Sequence, residues 1–365
     1  MATENKKYIP ALRFPEIQND GEWKTDTMET IFDIKNGYTP SKSNSSFWDN
    51  GTIPWFRMED IRKNGHILSD SIQHVTPAAV KNAGLFPAYS IIVATTATIG
   101  EHALIIVDSL ANQQFTFLTK RKSFDNKLDM MYFHYFMFII DEWCKKNTNA
   151  GGLLSVNMDS FKKLTIPYPS SLSEQKIIAD CFVSIDKEID ATKRKFDLLK
   201  EHKKGLMQRL FTAKGKTTPE LRFPEFQNDG EWVEVPFGSI INVNSGKDYK
   251  HLDVGNIPVY GTGGYMLSVN DRLSDIDAVG IGRKGTIDKP QYLKAPFWTV
   301  DTLFFLTSSK NYDIRYLYYL CQTIPWKTYG EQTGVPSISK NSIDKLDVVI
   351  TTNLTEQQKI AQSLL

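Results

Sequence analysis

The sequence is poor in cysteine and lacks any apolar run that could cross a membrane. Cys144, Cys181 and Cys321 are odd in number, far apart and in no CxxC arrangement, which predicts neither a disulfide framework nor a zinc site. The richest apolar run, 132–140, is well short of the roughly 20 residues that a membrane span needs, and we expect a buried helix there. The first residues lack the apolar segment of a signal peptide, which favours a cytoplasmic protein.

Charge of one sign and catalytic motifs are also scarce. A formal net charge of +1 excludes the class of strongly basic proteins that coat nucleic acid, although a local basic face is compatible with it. The six histidines show no HExxH or other metal-ligand spacing. Residues 280–285 fit GxGxxG, but the following Thr-Ile-Asp-Lys-Pro cannot form the helix that would hold a pyrophosphate.

The chain also lacks any Asn-Pro dipeptide, so the Asn-Pro-Pro-aromatic motif of adenine methyltransferases is absent. With no catalytic motif, we predict a non-enzymatic chain with no metal and no cofactor of its own. An enzyme with an unrecognised site remains an alternative.

The sequence does contain an internal repeat. PALRFPEIQNDGEW at 10–23 matches PELRFPEFQNDGEW at 219–232 in 12 of 14 positions, at an offset of 209 residues. Later matches fall at smaller offsets: 204 for Ile53-Pro54, 188 for Thr98-Ile99 and 182 for Glu174-Gln175. A steadily falling offset indicates two collinear copies, of which the second has shorter loops.

The copies agree at their ends and diverge in their middles. This distribution favours two domains that share a frame and contact different partners, although ordinary drift after duplication would produce it as well. Strand candidates at 90–94 and 115–118 in the first copy, and at 278–281 and 303–306 in the second, accompany aromatic helical runs at 131–143 and 314–320. The predicted fold class is α+β, with two similar domains.

A long helix is predicted after the first domain. Ser171 and Glu174 have capping-box spacing, and Asn353 and Glu356 repeat it in the second copy. A helix over 172–210 would be about 57 Å long. Its 4-3 apolar spacing predicts a coiled-coil seam that docks another helix or subunit. The apolar positions of this seam are Ile178, Phe182, Ile185, Ile189, Phe196, Leu199, Leu206 and Leu210.

The second copy of this helix has room for only about 12 residues after Asn353, so we expect a truncated second rod. The stretch 193–216 carries nine Lys or Arg against two acids. Such a basic face could touch phosphates, and a solvated helix flank explains it equally well.

These patterns divide the chain into four segments. We predict a first domain at 1–170, a central spacer helix at 171–213, a second domain at 214–352 and the start of a second spacer helix at 353–365.

Loops dense in hydroxyl, basic and aromatic residues lie between the predicted strands. Such side chains hold phosphates and read base edges, although polar loops occur in any protein. The candidate DNA contacts of the first domain are Lys42, Arg57, Thr95, Thr96 and Thr98. Those of the second domain are Lys247, Tyr249, Lys250, Tyr260, Arg283, Lys284 and Thr286. Thr98 and Thr286 are equivalent between the copies, which favours a phosphate or supporting role for both.

The chain closely resembles the specificity (S) subunit of Type I restriction-modification enzymes. The resemblance rests on Leu-Arg-Phe-Pro-Glu at 12–16 and 221–225, and on Trp23 and Trp232. Further matching features are the Ile-Pro-Trp and Ile-Pro-Val turns, the Arg-Lys-Gly-Thr loop at 283–286 and the Glu-Gln helix starts at 174 and 356. Together they span almost the whole chain.

The resemblance implies two target-recognition domains held apart by helical spacers, each reading one half of a split sequence in double-stranded DNA. It implies docking of methylation subunits, which carry S-adenosylmethionine and flip the target adenine, and of a nuclease and translocase subunit. A shortened second spacer would weaken docking of a second methylation subunit. A two-domain scaffold that binds proteins or glycans through the same loops is the alternative from another class.

Overall fold

The computed structural model describes residue 8 and residues 10–18, 21–81, 84–149, 154–309, 311–330 and 334–365. Residue contacts divide the chain into two compact units, Met1–Ala191 and Thr192–Leu365. Within the described residues no helix is both long and apolar enough to span a membrane.

The first unit begins with short strands and ends in a long helix. Its strands are β1 (Lys24–Thr27), β2 (Phe32–Asn36), β3 (Ile53–Phe56), β4 (Ile67–Leu68), β5 (His74–Val75), β6 (Ser90–Ala94), β7 (His102–Ile105), β8 (Leu110–Ala111), β9 (Phe115–Lys120) and β10 (Thr165–Tyr168). Its helices are α1 (Met28–Ile31), α2 (Met58–Asn64), α3 (Met130–Lys146), α4 (Met158–Lys162) and the first half of α5 (Leu172–Leu210). Single 3-10 turns form at Pro15–Ile17, Ser45–Phe47, Pro77–Ala79 and Lys122–Phe124.

Three sheets organise this unit. The main sheet has the strand order β2-β9-β6-β7-β4, a smaller sheet has the order β5-β3-β8, and β1 pairs with β10. Strand β6 is buried along its whole length because one face packs against α3 and the other against Phe56 and Ile61, which suits its sequence Ser-Ile-Ile-Val-Ala. Helix α3 packs Phe133 and Met137 into the same core.

The second unit repeats this plan with fewer strands. Its strands are β11 (Val233–Pro236), β12 (Ile241–Ser245), β13 (Val254–Gly261), β14 (Gly264–Val269), β15 (Ala278–Gly282), β16 (Gln291–Leu293), β17 (Trp298–Thr299), β18 (Leu303–Ser308) and β19 (Asp347–Ile350). Its helices are the second half of α5, α6 (Ile314–Thr323), α7 (Trp326–Tyr329), α8 (Lys340–Asp344) and α9 (Leu354–Ser363). Two 3-10 turns lie at Pro224–Phe226 and Phe237–Ser239.

The sheets of the second unit correspond to those of the first. The main sheet has the order β12-β18-β15-β16, the smaller sheet has the order β14-β13-β17, and β11 pairs with β19. Helix α6 buries Tyr316 and Leu317 in a core that also contains Leu210, the last residue of α5, and the following Phe211. The chain is therefore a mixed helix and strand protein with one architecture present twice.

The predicted elements agree with the structure where the apolar pattern is strong. The four strand candidates lie within β6, β9, β15 and β18, both aromatic runs are helices, and α5 has the predicted bounds. The run 132–140 is less buried than predicted, because Phe138 and Ile139 on α3 face outward.

The Ile-Pro-Trp and Ile-Pro-Val segments are strands, and their prediction as turns was wrong. Strand β3 pairs with β5 at Ile53 and Pro54, and with β8 at Trp55 and Phe56. Pro54 is therefore paired on one side only, where the missing N–H of proline is tolerated.

Candidate nucleic-acid interface

A buried carboxylate near the start of α5 holds the beginning of the first unit. Glu174 accepts hydrogen bonds from Arg13 Nε at 3.1 Å and from Trp23 Nε1 at 3.0 Å. Its side chain is almost fully buried, and Arg13 also donates to the carbonyl oxygen of Gly21. The Glu174 carboxylate therefore links the Leu-Arg-Phe and Gly-Glu-Trp segments of the repeat to the start of α5.

The second unit contains the same ion pair, although Trp232 Nε1 has no hydrogen-bond partner among the described residues. Glu356 in α9 accepts from Arg222 Nε at 2.7 Å, from Arg222 Nη2 at 3.0 Å and from Thr351 Oγ1 at 2.6 Å. The Glu356 side chain is as buried as that of Glu174, and the pairing with Glu356 raises the pKa of Arg222. We call the Arg13–Glu174 and Arg222–Glu356 pairs the frame ion pairs.

The glutamine after each glutamate fixes a second helix. Gln175 Oε1 accepts from the backbone N–H of Asp129, and Gln357 Oε1 accepts from that of Asp313. Both aspartates are N-caps, of α3 and α6 respectively. The Glu-Gln pairs therefore join the start of each unit to its aromatic helix, and their recurrence has a structural cause.

The predicted capping boxes are half right. Ser171 Oγ accepts from the N–H of Glu174, and Asn353 Oδ1 accepts from the N–H groups of Thr355 and Glu356. Neither glutamate completes its box, because both carboxylates are engaged by the arginines of the frame ion pairs.

Two equivalent glycines bring a loop of each unit against its sheet. A Cβ on Gly37 would lie 2.4 Å from the carbonyl oxygen of Ala111, and one on Gly246 would lie 2.0 Å from that of Val300. The next residue in each copy is anchored by an indole N–H: Trp55 donates to the carbonyl of Tyr38, and Trp298 to that of Lys247. The loops carrying Lys42 and Lys247 thus start from fixed positions.

Most predicted contacts of the first unit lie on its surface. Lys42 is exposed in the loop after β2, and Trp48 Nε1 holds this loop through the carbonyl of Ser41. Arg57 caps α2, pairs with Glu59 at 3.2 Å and lies over the ring of Trp55. Thr96 and Thr98 are half-buried in the turn between β6 and β7.

Thr95 corrects the prediction. It is only 8% exposed, and its hydroxyl lies 3.1 Å from that of Thr116, which in turn donates to Asn36 Oδ1. Because its side chain is part of this buried network, Thr95 stabilises the sheet and is not accessible to a DNA base.

Arg283 and Lys284 are adjacent exposed basic residues among the predicted contacts of the second unit. Both are exposed just after β15, and within the described residues neither forms an ion pair. Arg283 lies over the ring of Phe304, and its N–H donates to the carbonyl of Thr302. Thr286 is half-buried next to them, and no helix comes after it, as predicted for this GxGxxG segment.

The remaining four residues of the second unit divide by exposure. Lys247 and Lys250 are exposed, whereas Tyr249 and Tyr260 are half-buried against the core under β13. The sequence prediction missed Tyr265 and Met266, which are 63% and 49% exposed on β14. The Gly-Thr-Gly-Gly segment between β13 and β14 is a hairpin signal that could have identified this strand pair.

The apolar seam of α5 is open only in its middle. Phe182, Ile185, Ile189, Phe196 and Leu199 are each about half exposed. The other three residues correct the prediction, because their own units cover them: Ile178 packs on the core of the first unit, and Leu206 and Leu210 on that of the second.

The basic stretch at the end of α5 lines an open groove of about 650 Å³. Lys200, Lys203, Lys204 and Lys214 surround it, and Met207 and Phe211 form its floor. Lys203 also lies over the ring of Tyr319. The groove is compatible with a phosphate contact and with a solvated flank.

Two buried histidines of the first unit, His102 and His134, lie beside the buried Asp141, and the exposed His66 lies next to them. His102 Nδ1 lies 2.8 Å from Asp141 Oδ2, and His102 Nε2 lies 3.0 Å from the carbonyl oxygen of His134. His66 Nδ1 is 2.8 Å from the carbonyl oxygen of His102. Burial lowers the pKa of His134 to about 3, and His102 and His66 add to the shift. The described residues contain no group of side chains suited to a metal ion.

Comparison with known proteins agrees with this doubled architecture. The profile of the Type I restriction modification DNA specificity domain matches residues 20–201 and 229–364. The Type I restriction enzyme EcoprrI specificity subunit of Escherichia coli is 32% identical over 339 residues, covering 88% of this chain and 82% of the relative. The MjaIX specificity subunit of Methanocaldococcus jannaschii is 25% identical over 250 residues, covering 64% and 55%.

Solved structures show the same fold. The S subunit of a Type I restriction-modification system from M. genitalium superposes with a TM-score of 0.60 at 18% identity, covering 95% of this chain and 89% of that one. A chain from a structure concerned with complex assembly and conformational transition of the type I R-M system gives a TM-score of 0.58 at 14% identity, covering 97% and 90%.

The family match confirms the prediction of a DNA specificity subunit rather than a catalytic one. Two specificity domains, on two copies of one frame, account for the sequence repeat. The chain belongs to the family of Type I restriction-modification specificity subunits.

Proposed function

We propose that each unit reads one half of a bipartite target in double-stranded DNA. The target-recognition domains are assigned to 1–170 and 214–352, the central spacer to 171–213, and the start of a second spacer to 353–365. This proposal rests on two specificity-domain matches, one in each unit. The two units have corresponding sheets but differ in the elements between them. A common frame with unlike surfaces suits two readers of different sequences.

We propose that the DNA contacts come from exposed and half-buried residues at the surface of both units. In the first unit these are Lys42, Arg57, Thr96 and Thr98; in the second they are Lys247, Tyr249, Lys250, Tyr260, Arg283, Lys284 and Thr286. Exposed lysines suit phosphates, because they supply charge without geometric selectivity. Arg283 suits a base edge, since a guanidinium can donate two hydrogen bonds to guanine.

We propose that α5 is both spacer and docking helix. Its five open apolar residues continue the 4-3 spacing of a coiled-coil seam, and exposed apolar surface of this kind is stabilised by a partner. The assigned partner is a methylation subunit, which would supply S-adenosylmethionine and the catalytic site, and a nuclease and translocase subunit would complete the restriction complex. Because α5 would hold the two domains at a fixed distance, binding of both half-targets would be more selective than binding of either one alone.

The experiment is a mobility-shift assay of Arg283→Ala in the presence of the methylation subunit. Loss of a bidentate base contact is expected to weaken binding to target DNA by about 1–3 kcal/mol, or roughly 5- to 150-fold. Binding to non-target DNA should fall much less. Lys250→Ala is the matched control, because a phosphate contact should weaken binding to both DNAs alike.

Equal losses on target and non-target DNA for Arg283→Ala would make Arg283 a phosphate contact. A wild-type chain without preference for any DNA sequence would contradict the proposed function itself. The scaffold alternative predicts that outcome together with binding of a protein or glycan.

A further inference from the structure

Strands β13 and β14 form an antiparallel two-stranded ribbon in the second unit. The strands pair from Val254 with Val269 to Gly261 with Gly264, so a two-residue loop, Thr262-Gly263, closes the tip. Gly264 has φ +110°, a conformation that suits glycine and lets the chain turn this tightly. On its other side β13 pairs with β17 only at Val259 and Tyr260.

The tip of this ribbon exposes two large side chains, of which Tyr265 packs edge-on against the ring of Tyr260 and lies 3.2 Å from Ser268 Oγ. Tyr265 and Met266 are 63% and 49% exposed, although they lie in a regular strand. The register shifts between Val259 and Tyr260, which leaves Met266 without a Cα partner on β13. A bulge of this kind redirects side chains and is common beside functional sites.

Charge differs between the two ends of the ribbon. Asp253 and Asp271 flank the end where β13 begins and β14 finishes, and the neighbouring Arg272 is paired with Asp275. At the tip, the nearest charged residues along the adjoining loop are Arg283 and Lys284, both exposed. A Cβ on Gly282 would lie 3.3 Å from Thr262 Cγ2 and 2.2 Å from the carbonyl oxygen of Thr286, so the tip lies directly against this loop. The tip therefore lies beside two exposed cations that form no ion pair among the described residues, and these cations suit a polyanion.

Gln291 on β16 holds the tip in place. Its Nε2 donates to the carbonyl oxygens of Gly261 at 2.9 Å and Thr262 at 3.1 Å. A mobile hairpin would lose conformational entropy on binding DNA. A tip that is already fixed to the sheet avoids most of this loss. The ribbon, the loop at 283–286 and Gln291 form one continuous surface.

We propose that the tip of this ribbon enters the major groove of the second half-target, with Thr262, Tyr265 and Met266 against base edges. The inference rests on the proposed function and deepens it. The major groove admits a two-stranded ribbon, apolar side chains contact the thymine methyl group there, and Arg283 and Lys284 would meet the phosphates or bases beside it. Gln291 is a positioning residue that acts through the tip.

The test measures how strongly the full chain, with its methylation subunit, discriminates single-base changes in each half of its target. Met266→Ala and Tyr265→Ala are each expected to reduce discrimination in the second half by tenfold or more, and to leave the first half unchanged. Val254→Ala is the matched control, because Val254 is 94% exposed on the same ribbon but at the end away from the tip. The control should bind like the wild type.

Gln291→Glu keeps the size of the side chain but replaces the donor with an acceptor facing two carbonyls. It is expected to reduce discrimination in the second half selectively, with a melting temperature lowered by no more than a few degrees and unchanged binding to non-target DNA. A general loss of stability would instead weaken binding to both.

Three outcomes would overturn the inference. Wild-type discrimination by the Tyr265 and Met266 variants, while Arg283→Ala still lowers target binding, would remove the ribbon from the interface and leave the proposed function standing. Loss of methylation-subunit binding without a change in DNA selectivity would make the ribbon a protein contact. Equal loss on every DNA would make it a non-specific contact.

Discussion

The two units share their frame but differ in the segment after the Ile-Pro strand. After β3 the first unit forms α2, whose buried Asp60 accepts from the N–H groups of Arg57 and Ile72 and so returns the chain to β5. After β13 the second unit turns back at once as β14. Both strands nevertheless pair in parallel with a short strand, β8 or β17. The architecture therefore tolerates variation in the segment that follows the Ile-Pro strand, whereas the parallel pairing of that strand with β8 or β17 is kept.

The largest effect is expected from breaking a frame ion pair. Glu356→Ala would remove the buried carboxylate that pairs with Arg222, and Glu174→Ala would remove the one that accepts from Arg13 Nε and Trp23 Nε1. Removing one partner of a buried pair costs about 3–5 kcal/mol. Urea unfolding of the full chain should show that loss in the second unit for the first variant and in the first unit for the other.

Glu220→Ala is the control for this prediction. The Arg209–Glu220 pair is exposed on both sides, and such pairs contribute about 1 kcal/mol or less. If the buried variants cost no more than this control, the frame ion pairs are not what holds the two units in a common architecture.

A lower pH is expected to have an intermediate effect on stability, and it should destabilise the first unit more than the second. His134 is buried with its pKa lowered from 6.5 to about 3, so the unfolded chain takes up a proton that the folded chain resists. The stability contributed above pH 6.5 is therefore lost progressively as the pH falls towards 3. Between pH 6.5 and 5 the first unit should lose about 2 kcal/mol.

The second unit supplies the comparison, because its histidines, His202 and His251, are exposed. Thermal unfolding at pH 6.5 and 5 should lower the transition of the first unit more than that of the second. His134→Gln should remove most of the difference between the two transitions. An equal acid shift in both units, or one that survives His134→Gln, would contradict this origin.

The smallest effect on stability is expected on the open seam of α5. Phe196→Ser changes a half-exposed side chain and should alter the free energy of unfolding by about 0.5 kcal/mol or less. It should nevertheless weaken co-elution with the methylation subunit in size-exclusion chromatography. Leu198→Ser is the control, since Leu198 is as exposed but lies about 200° around the helix. Equal effects of the two variants on co-elution would argue against the seam.

Much of the fold could be predicted from local patterns. Helix α5 has the predicted bounds because its 4-3 apolar spacing and its capping serine are both local signals. Strand β6 was predicted because an all-buried strand appears as a continuous apolar run. The repeat itself predicted that the second unit would copy the first.

Long-range partners could not be predicted in this way. Glu174 has the spacing of a capping-box residue, and nothing nearby in sequence shows that Arg13, 161 positions away, takes its carboxylate. Thr95 appears exposed in a Thr-rich turn, but its hydroxyl faces a strand that is distant in sequence. The exposure of the two ends of the seam was overestimated for the same reason, because each unit packs against its own part of α5.

The most direct test of two separate readers on one frame is a map of methylated adenines in cells with and without this gene. The account predicts one bipartite motif that depends on the gene, and a change confined to one half of that motif when Met266→Ala or Arg283→Ala replaces the wild type. Absence of a gene-dependent bipartite motif would contradict the account. A change in both halves from either variant would contradict the independence of the two units.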